Sequence, residues 1–158
     1  MNNWFTAKVR YTKQNEDGTF KRVSEPYLVN AMTFTDAESR IYEELGSIIR
    51  GEFSITGCNP TSYDDVVAYA DVDYWFEAKV RMNVADMDAT KPKMATKKIL
   101  VSGADISDAF DNVKEVISKY MTDVEVIGIS KTQIVDIFPF KESSIEEVET
   151  EKEMEEGI

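Results

Sequence analysis

The amino-acid sequence repeats itself at a spacing of about 71 residues. Residues 4–10, WFTAKVR, return at residues 75–81 as WFEAKVR, and the residues that follow each copy also correspond. This repeat is longer than a solenoid turn and shorter than an ordinary domain, so we expect two half-domains whose apolar faces meet in one core or in two adjoining ones. We therefore predict a single domain over residues 1–140, made of repeats at about 3–70 and 74–140, and a separate tail at 141–158.

Each repeat contains the same series of patterns. An opening strand with strict alternation is followed by a second strand, a helix with an apolar stripe, a third strand and a short fourth strand that closes the unit. Sequential hairpins with one helix per unit favour an antiparallel or mixed sheet. The predicted fold class is α+β, with internally duplicated ββαβ(β) units that are related by a pseudo-twofold axis.

Local signals give finer expectations. Thr35 and Glu38 are spaced as a capping box, and Ser107 takes the N-cap position of the second helix. Gly57 and Gly128 are aligned, which indicates a shared bulge or turn where a side chain would not fit.

Composition excludes several classes of function. The chain has no histidine, so the commonest general base and every Ser-His or Cys-His nucleophile pair are missing. Cys58 is the only cysteine, which excludes an internal disulfide and a Cys-rich zinc site, and we expect it to be buried. No nucleotide-binding or hydrolase motif is present. We predict that the protein is not an enzyme and binds neither a metal nor a cofactor.

The acidic charge is unevenly distributed. The formal net charge is −12, and residues 141–158 hold eight glutamates against two lysines, so the tail carries half of that charge. We predict a marginal helix or a disordered segment there, with solubilisation as the simplest role and autoinhibition or partner docking as alternatives. Three acidic groups lack the spaced ligands and the glycine of a calcium loop, so we interpret them as solvated loop acids: Asp64-Asp65, Asp71-Val72-Asp73 and Asp86-Met87-Asp88.

The sharpest candidate site is the second face of the two opening strands. Each strand places one indole and two cations on that face of an otherwise acidic protein. The candidate binding residues are Trp4, Lys8, Arg10, Trp75, Lys79 and Arg81. Lys21, Arg22, Lys97 and Lys98 on the second strands could extend this surface. Indoles stack on bases or cover apolar ligands, and paired cations hold phosphate or carboxylate. The plainer interpretation is a solvated sheet face with a packed tryptophan.

An ordered series of motifs resembles a known protein family. The motifs are Trp4-Phe5 with Lys8-Val9-Arg10, Glu25-Pro26-Tyr27-Leu28-Val29 with Ala31, Phe34-Thr35-Asp36-Ala37-Glu38 with Arg40, and Asp136-Ile137-Phe138-Pro139. They are similar to a family of short proteins of unknown function from anaerobic gut bacteria and their tailed phages. The resemblance covers roughly residues 3–140 and implies no activity or cofactor.

These observations favour a non-catalytic binding or interaction protein that acts on a protein partner and is associated with phages or other mobile elements. The start of the chain lacks a secretory signal, so we expect a cytoplasmic protein of a bacterial or phage-infected cell. A first alternative is a binder of a nucleotide, another small anionic ligand or single-stranded nucleic acid through the duplicated face. A second alternative is an acidic mimic of nucleic acid. Binding to duplex DNA or to a membrane is not expected.

Overall fold

The computed structural model describes residues 3–69, 74–86, 88 and 90–140. The predictions for the acidic tail and for Asp71-Val72-Asp73 therefore lie outside the described residues. Within the described part the chain forms two helices and two mixed sheets of four strands each, which confirms the α+β class and the duplicated, two-unit arrangement. The elements are β1 (Trp4–Gln14), β2 (Phe20–Asn30), α1 (Phe34–Leu45), β3 (Phe53–Thr61), β4 (Asp65–Val67), β5 (Tyr74–Asn83), β6 (Met94–Gly103), α2 (Ile106–Ile117), β7 (Val124–Lys131) and β8 (Ile137–Phe138).

The two sheets exchange their shortest strands. The first unit combines residues up to 61 with those from 136 onward and has the strand order β3-β1-β2-β8, whereas the second unit, residues 62–135, has the order β4-β6-β5-β7. In both sheets the long strands are antiparallel, while β8 runs parallel to β2 and β4 runs parallel to β6. The fourth strand of each repeat thus lies in the sheet of the other repeat, and the expectation that it closes its own unit was wrong.

Chain geometry accounts for the exchange. In the first unit, β3 forms one edge of the sheet and β8, beside β2, forms the opposite edge. These two edge strands are parallel to each other. A connection between two parallel strands of one sheet needs roughly a dozen or more residues. Only residues 62–64 separate β3 from β4, so β4 cannot return to the far edge of its own sheet.

A buried arginine holds β8 in the first unit. The guanidinium of Arg40, on α1, donates to the carbonyl oxygens of Asn30 at the end of β2 and of Pro139 at 2.8 Å, with a longer bond of 3.4 Å to Phe138. The rings of Tyr27 and Phe138 stack with their centroids 5.9 Å apart. Since carbonyl groups buried without a donor are costly, Arg40 links the helix, the sheet and the exchanged strand.

The second unit holds β4 with neutral groups at corresponding positions. The hydroxyl of Ser102 accepts from the backbone N–H of Tyr69 at 2.6 Å and donates to its carbonyl at 3.1 Å. Asn112 occupies the place of Arg40, 72 residues later, and its amide donates to the Ser102 carbonyl at 2.8 Å. Tyr120 donates to the Asp65 carboxylate at 3.0 Å, so β4 is fixed from both sides.

Each helix begins two residues earlier than the capping signals predicted. Thr33 is the N-cap of α1 and accepts from the Asp36 amide at 3.1 Å; Asp105 is the N-cap of α2 and accepts from the Asp108 amide at 2.8 Å. The Asp36 and Asp108 carboxylates reach back to the backbone N–H two residues upstream of each helix. The expected N-caps Thr35 and Ser107 are wrong, because a short aspartate at the third helical position replaces the glutamate of the usual capping box.

Each unit has its own hydrophobic cluster between the helix and one sheet face. In the first, the buried helical residues Ala37, Ile41 and Leu45 pack with the inward face of β1 and β2. In the second, Ala109, Val113 and Val116 do the same on β5 and β6. Cys58 is buried in the first cluster, as expected, and burial raises the pKa of its thiol.

The aligned glycines lie at matched β-bulges. The register of β1 with β3 shifts between Lys8 and Val9, where Thr56 is the extra residue, and the register of β5 with β7 shifts at the equivalent place. The expected bulge is therefore confirmed, but its stated reason was wrong. Neither glycine has a positive φ, and an added Cβ would meet nothing closer than 4.0 Å at Gly57 and nothing within 4 Å at Gly128.

Candidate functional site

The opening strands β1 and β5 separate their side chains onto two faces. Phe5, Ala7 and Val9 of β1 are buried against α1, and the corresponding residues of β5 are buried against α2. The residues between them form the opposite face, which carries all six predicted binding residues. The alternation inferred from the sequence therefore places Trp4, Lys8 and Arg10 on one face of the first sheet. It places Trp75, Lys79 and Arg81 on the equivalent face of the second.

This face changes from buried to exposed along each strand. Trp75 is 7% exposed and Trp4 is half-buried, whereas Lys8, Arg10, Lys79 and Arg81 are exposed. The structure thus exposes the two cations of each opening strand to solvent and buries the indole of Trp75. A ring buried to this degree has no free face for stacking on a ligand.

The second strands extend the cationic surface only in part. Strand pairing places Arg22 opposite Thr12 and Lys98 opposite Lys79, so both lie on the same face as the candidate residues. Lys21 and Lys97 lie on the other face, because their partners are Lys13 and Val80. We call Lys8, Arg10 and Arg22 the first-repeat strip, and Lys79, Arg81 and Lys98 the second-repeat strip.

No side chain of either strip forms an ion pair with a described residue. Lys98 instead lies over the ring of Tyr63, with its Nζ 5.3 Å from the ring centroid. Burial and the nearby Glu77 carboxylate raise the pKa of Tyr63, so that phenol stays neutral over the physiological range.

The two strips have different neighbours. Arg10 pairs with Ser24 on one side and Ser54 on the other, whereas Arg81 pairs with Thr96 and with Glu125. The strand register was needed to recognise this difference, because Ser54 and Glu125 are far along the chain from Arg10 and Arg81 although they lie on adjacent strands.

Two open hollows in the second unit were not predicted. One, of about 470 Å³, is bordered by Asn83, Lys91 and Pro92; the other, of about 450 Å³, is bordered by Met82, Lys97 and Tyr120. Both reach Met121, whose side chain is fully exposed, and neither includes any of the six candidate residues. The candidate surface is therefore a strand face and not the lining of either hollow.

Asp64 and Asp65 serve local structure, and the expectation of a solvated loop acid is wrong for Asp65, which lies half-buried in β4. Asp64 accepts from the Lys98 backbone N–H at 2.9 Å and is paired with the Lys97 ammonium at 3.6 Å, and Asp65 accepts from Tyr120. No group of three or more potential metal ligands occurs among the described residues. The described helices include none long and apolar enough to cross a membrane.

Comparison with known proteins identifies the family. Residues 3–140 match the model of the family described as Domain of unknown function (DUF4494), which covers both repeats and every described element. The chain therefore belongs to this family. No curated protein matches the chain.

Proposed function

We propose that this member of the DUF4494 family is a non-catalytic protein that binds a protein partner through the exposed cations of its duplicated sheet face. The observation that carries the proposal is that Lys8, Arg10, Lys79 and Arg81 are exposed and form no ion pair with a described residue, in a chain with a net charge of −12. The strands fix the spacing of these cations, and charge-assisted hydrogen bonds to a complementary array of carboxylates favour recognition of another protein.

The shape of the surface supports a macromolecular partner. A sheet face presents its side chains in a broad array, whereas sites for small molecules are concave and bury most of the ligand. The chain also lacks histidine, so general acid–base chemistry at neutral pH would need another group with a strongly shifted pKa. A binding function requires none of these groups.

The proposal includes an intracellular setting. A single cysteine, buried and with its thiol pKa raised, suits a reducing cytoplasm. Association with phages or other mobile elements is supported only by the resemblance of the sequence motifs.

A capture experiment tests the proposed function. The wild-type chain and a variant with Lys8, Arg10, Lys79 and Arg81 all changed to Ser would be immobilised and exposed to lysate of the encoding organism, with and without nuclease. We expect a protein to be retained by the wild type, in a nuclease-resistant manner, and lost from the variant. Circular dichroism would confirm that the variant is folded, because exposed charges contribute little to stability.

Equal retention by the two proteins would contradict a role for this face. Retention that disappears after nuclease treatment would favour the nucleic-acid alternative.

A further inference from the structure

The two strips differ in the charges that surround them. None of the residues at paired positions on the first-repeat face is acidic, and the neighbours of Lys8 and Arg10 include Thr6, Ser24 and Ser54. The second-repeat face contains Glu77 and Glu125 at the positions equivalent to Thr6 and Ser54, 71 residues later. The second-repeat face thus carries two carboxylates beside its three cations, and the paired residues of the first-repeat face include none.

The remaining contacts increase this difference. Lys98 is held over the Tyr63 ring, while Arg22, in the first-repeat strip, is exposed and makes no ion pair with a described residue. Phe20, two residues before Arg22 on the same face, is 72% exposed. In the second repeat, Met94 corresponds to Arg22 and is the first residue of β6. The second-repeat face therefore has no paired residue that corresponds to Phe20.

The spacing of the cations in the first-repeat strip matches that of alternate side chains in an extended peptide. Alternate residues of a strand lie roughly 6.8 Å apart, so Lys8, Arg10 and the row of Thr12 and Arg22 present one cation at each step. An extended peptide that carries a carboxylate at every second residue has the same repeat distance. Phe20 lies one row further along and provides an apolar contact at the end of the strip.

We propose that the repeats are functionally unequal, and that the first-repeat strip alone binds the ligand, an extended acidic segment of the protein partner. This inference rests on the proposed function. It further specifies which repeat binds the partner and which kind of segment of the partner is bound. The second repeat is then a structural copy in which Glu77 and Glu125 weaken the positive potential of the strip.

A peptide fits this surface better than single-stranded nucleic acid does. Sequence-tolerant binding of nucleic acid combines cations with stacking aromatic rings, but the indole of Trp75 is buried and that of Trp4 is half-buried.

Matched double variants test the inequality in the full-length chain. The probe is a fluorescein-labelled peptide of alternating glutamate and serine, with alternating glutamine and serine as the uncharged control and an oligothymidylate of equal length as the nucleic-acid arm. We expect K8S/R10S to weaken binding of the acidic peptide roughly five- to thirtyfold, and K79S/R81S to change it less than twofold.

A reciprocal graft gives the positive test. Changing Glu77→Thr and Glu125→Ser installs the first-repeat neighbours in the second repeat, and isothermal titration calorimetry should then show two binding sites per chain instead of one. The variant D86S/D88S removes the same number of charges from an exposed loop and should keep one site. A full-length variant with all eight tail glutamates changed to glutamine tests whether the acidic tail competes with the peptide for the first-repeat strip.

Each other outcome rejects the proposal. Equal weakening by both double variants would leave the proposed function intact and show that the repeats bind alike, whereas no effect of either would remove both ideas. Tighter binding of the oligothymidylate would assign the strip to nucleic acid. Acidic-peptide binding that appears only with the neutral tail would make residues 141–158 the occupant in place of a partner.

Discussion

The exchanged strand β8 should depend on a single side chain, Arg40. Its replacement by alanine removes the donor from three backbone carbonyls, of which two are bonded at short distance and the third, that of Phe138, at 3.4 Å. If each short bond to the charged donor contributes about 1.5 kcal/mol, R40A loses about 3 kcal/mol. For a protein of this size that corresponds to a fall of about 6–12 °C in the thermal midpoint.

Hydrogen exchange shows where this loss is located. The Leu28 amide donates to the Asp136 carbonyl at 3.1 Å and reports on β8, while the Asp64 amide donates to the Lys98 carbonyl at 2.8 Å and reports on β4. In R40A we expect exchange of the Leu28 amide to accelerate about a hundredfold, which is the kinetic equivalent of about 3 kcal/mol. Exchange at Asp64 should be unchanged.

The repeat supplies matched controls. N112A removes the bond from α2 to the Ser102 carbonyl and none to β8, so it should cost about 1 kcal/mol and leave exchange of the Leu28 amide unchanged. R50A, at an exposed arginine, should affect neither amide. If Leu28 keeps its wild-type protection in R40A, the arginine does not hold β8 and the reasoning fails.

Three further predictions use other features of the two units. Burial and hydrogen bonds to carboxylates raise the pKa values of Tyr11 and Tyr120 to about 12. Their contribution to the free energy of unfolding should therefore be fully present below pH 10 and be lost between pH 10 and 12. Urea unfolding should show a smaller loss over this range in Y11F/Y120F than in the wild type. G128A should change the free energy of unfolding by less than about 0.5 kcal/mol, whereas G103A, whose Cβ would lie 3.0 Å from the Ala109 nitrogen, should cost about 1–3 kcal/mol in the same denaturation assay. W75A should lose about 3–5 kcal/mol and W4A clearly less, because Trp75 is buried and Trp4 is half-buried; equal losses would contradict this.

Alternation and helical periodicity were sufficient to predict the long elements. Strands β1 and β5 bury alternate residues on the face toward the helix, and Ala37, Ile41 and Leu45 lie on one side of α1. The apolar face of each element could therefore be predicted from the order of its apolar residues. Ile48 shows the limit of that pattern. It continues the helical spacing but follows the end of α1 and is 65% exposed.

Strand exchange was beyond the reach of local patterns. Asp65-Val66-Val67 and Asp136-Ile137-Phe138 are similar short apolar segments, and nothing in either one identifies the sheet it joins. The choice depends on the three-residue connection after β3 and on the position of a free edge beside β2 or β6. Both are properties of the assembled sheets, so only the topology could reveal them.

The candidate surface shows the same division between local and non-local information. The alternation in β1 and β5 was enough to predict that all six residues lie on the strand face opposite the helix. Their burial, and their neighbours on adjacent strands, could be established only from the three-dimensional structure. The bulge opposite Lys8 and Lys79 is decisive here. It moves the register of β3 and β7 by one residue, and this shift sets Ser54 opposite Arg10 and Glu125 opposite Arg81. The extra residue in each edge strand therefore determines that Glu125, and not its neighbour, lies beside Arg81. Glu77 lies on β5 itself and adds the second carboxylate of the second-repeat face without any contribution from the bulge.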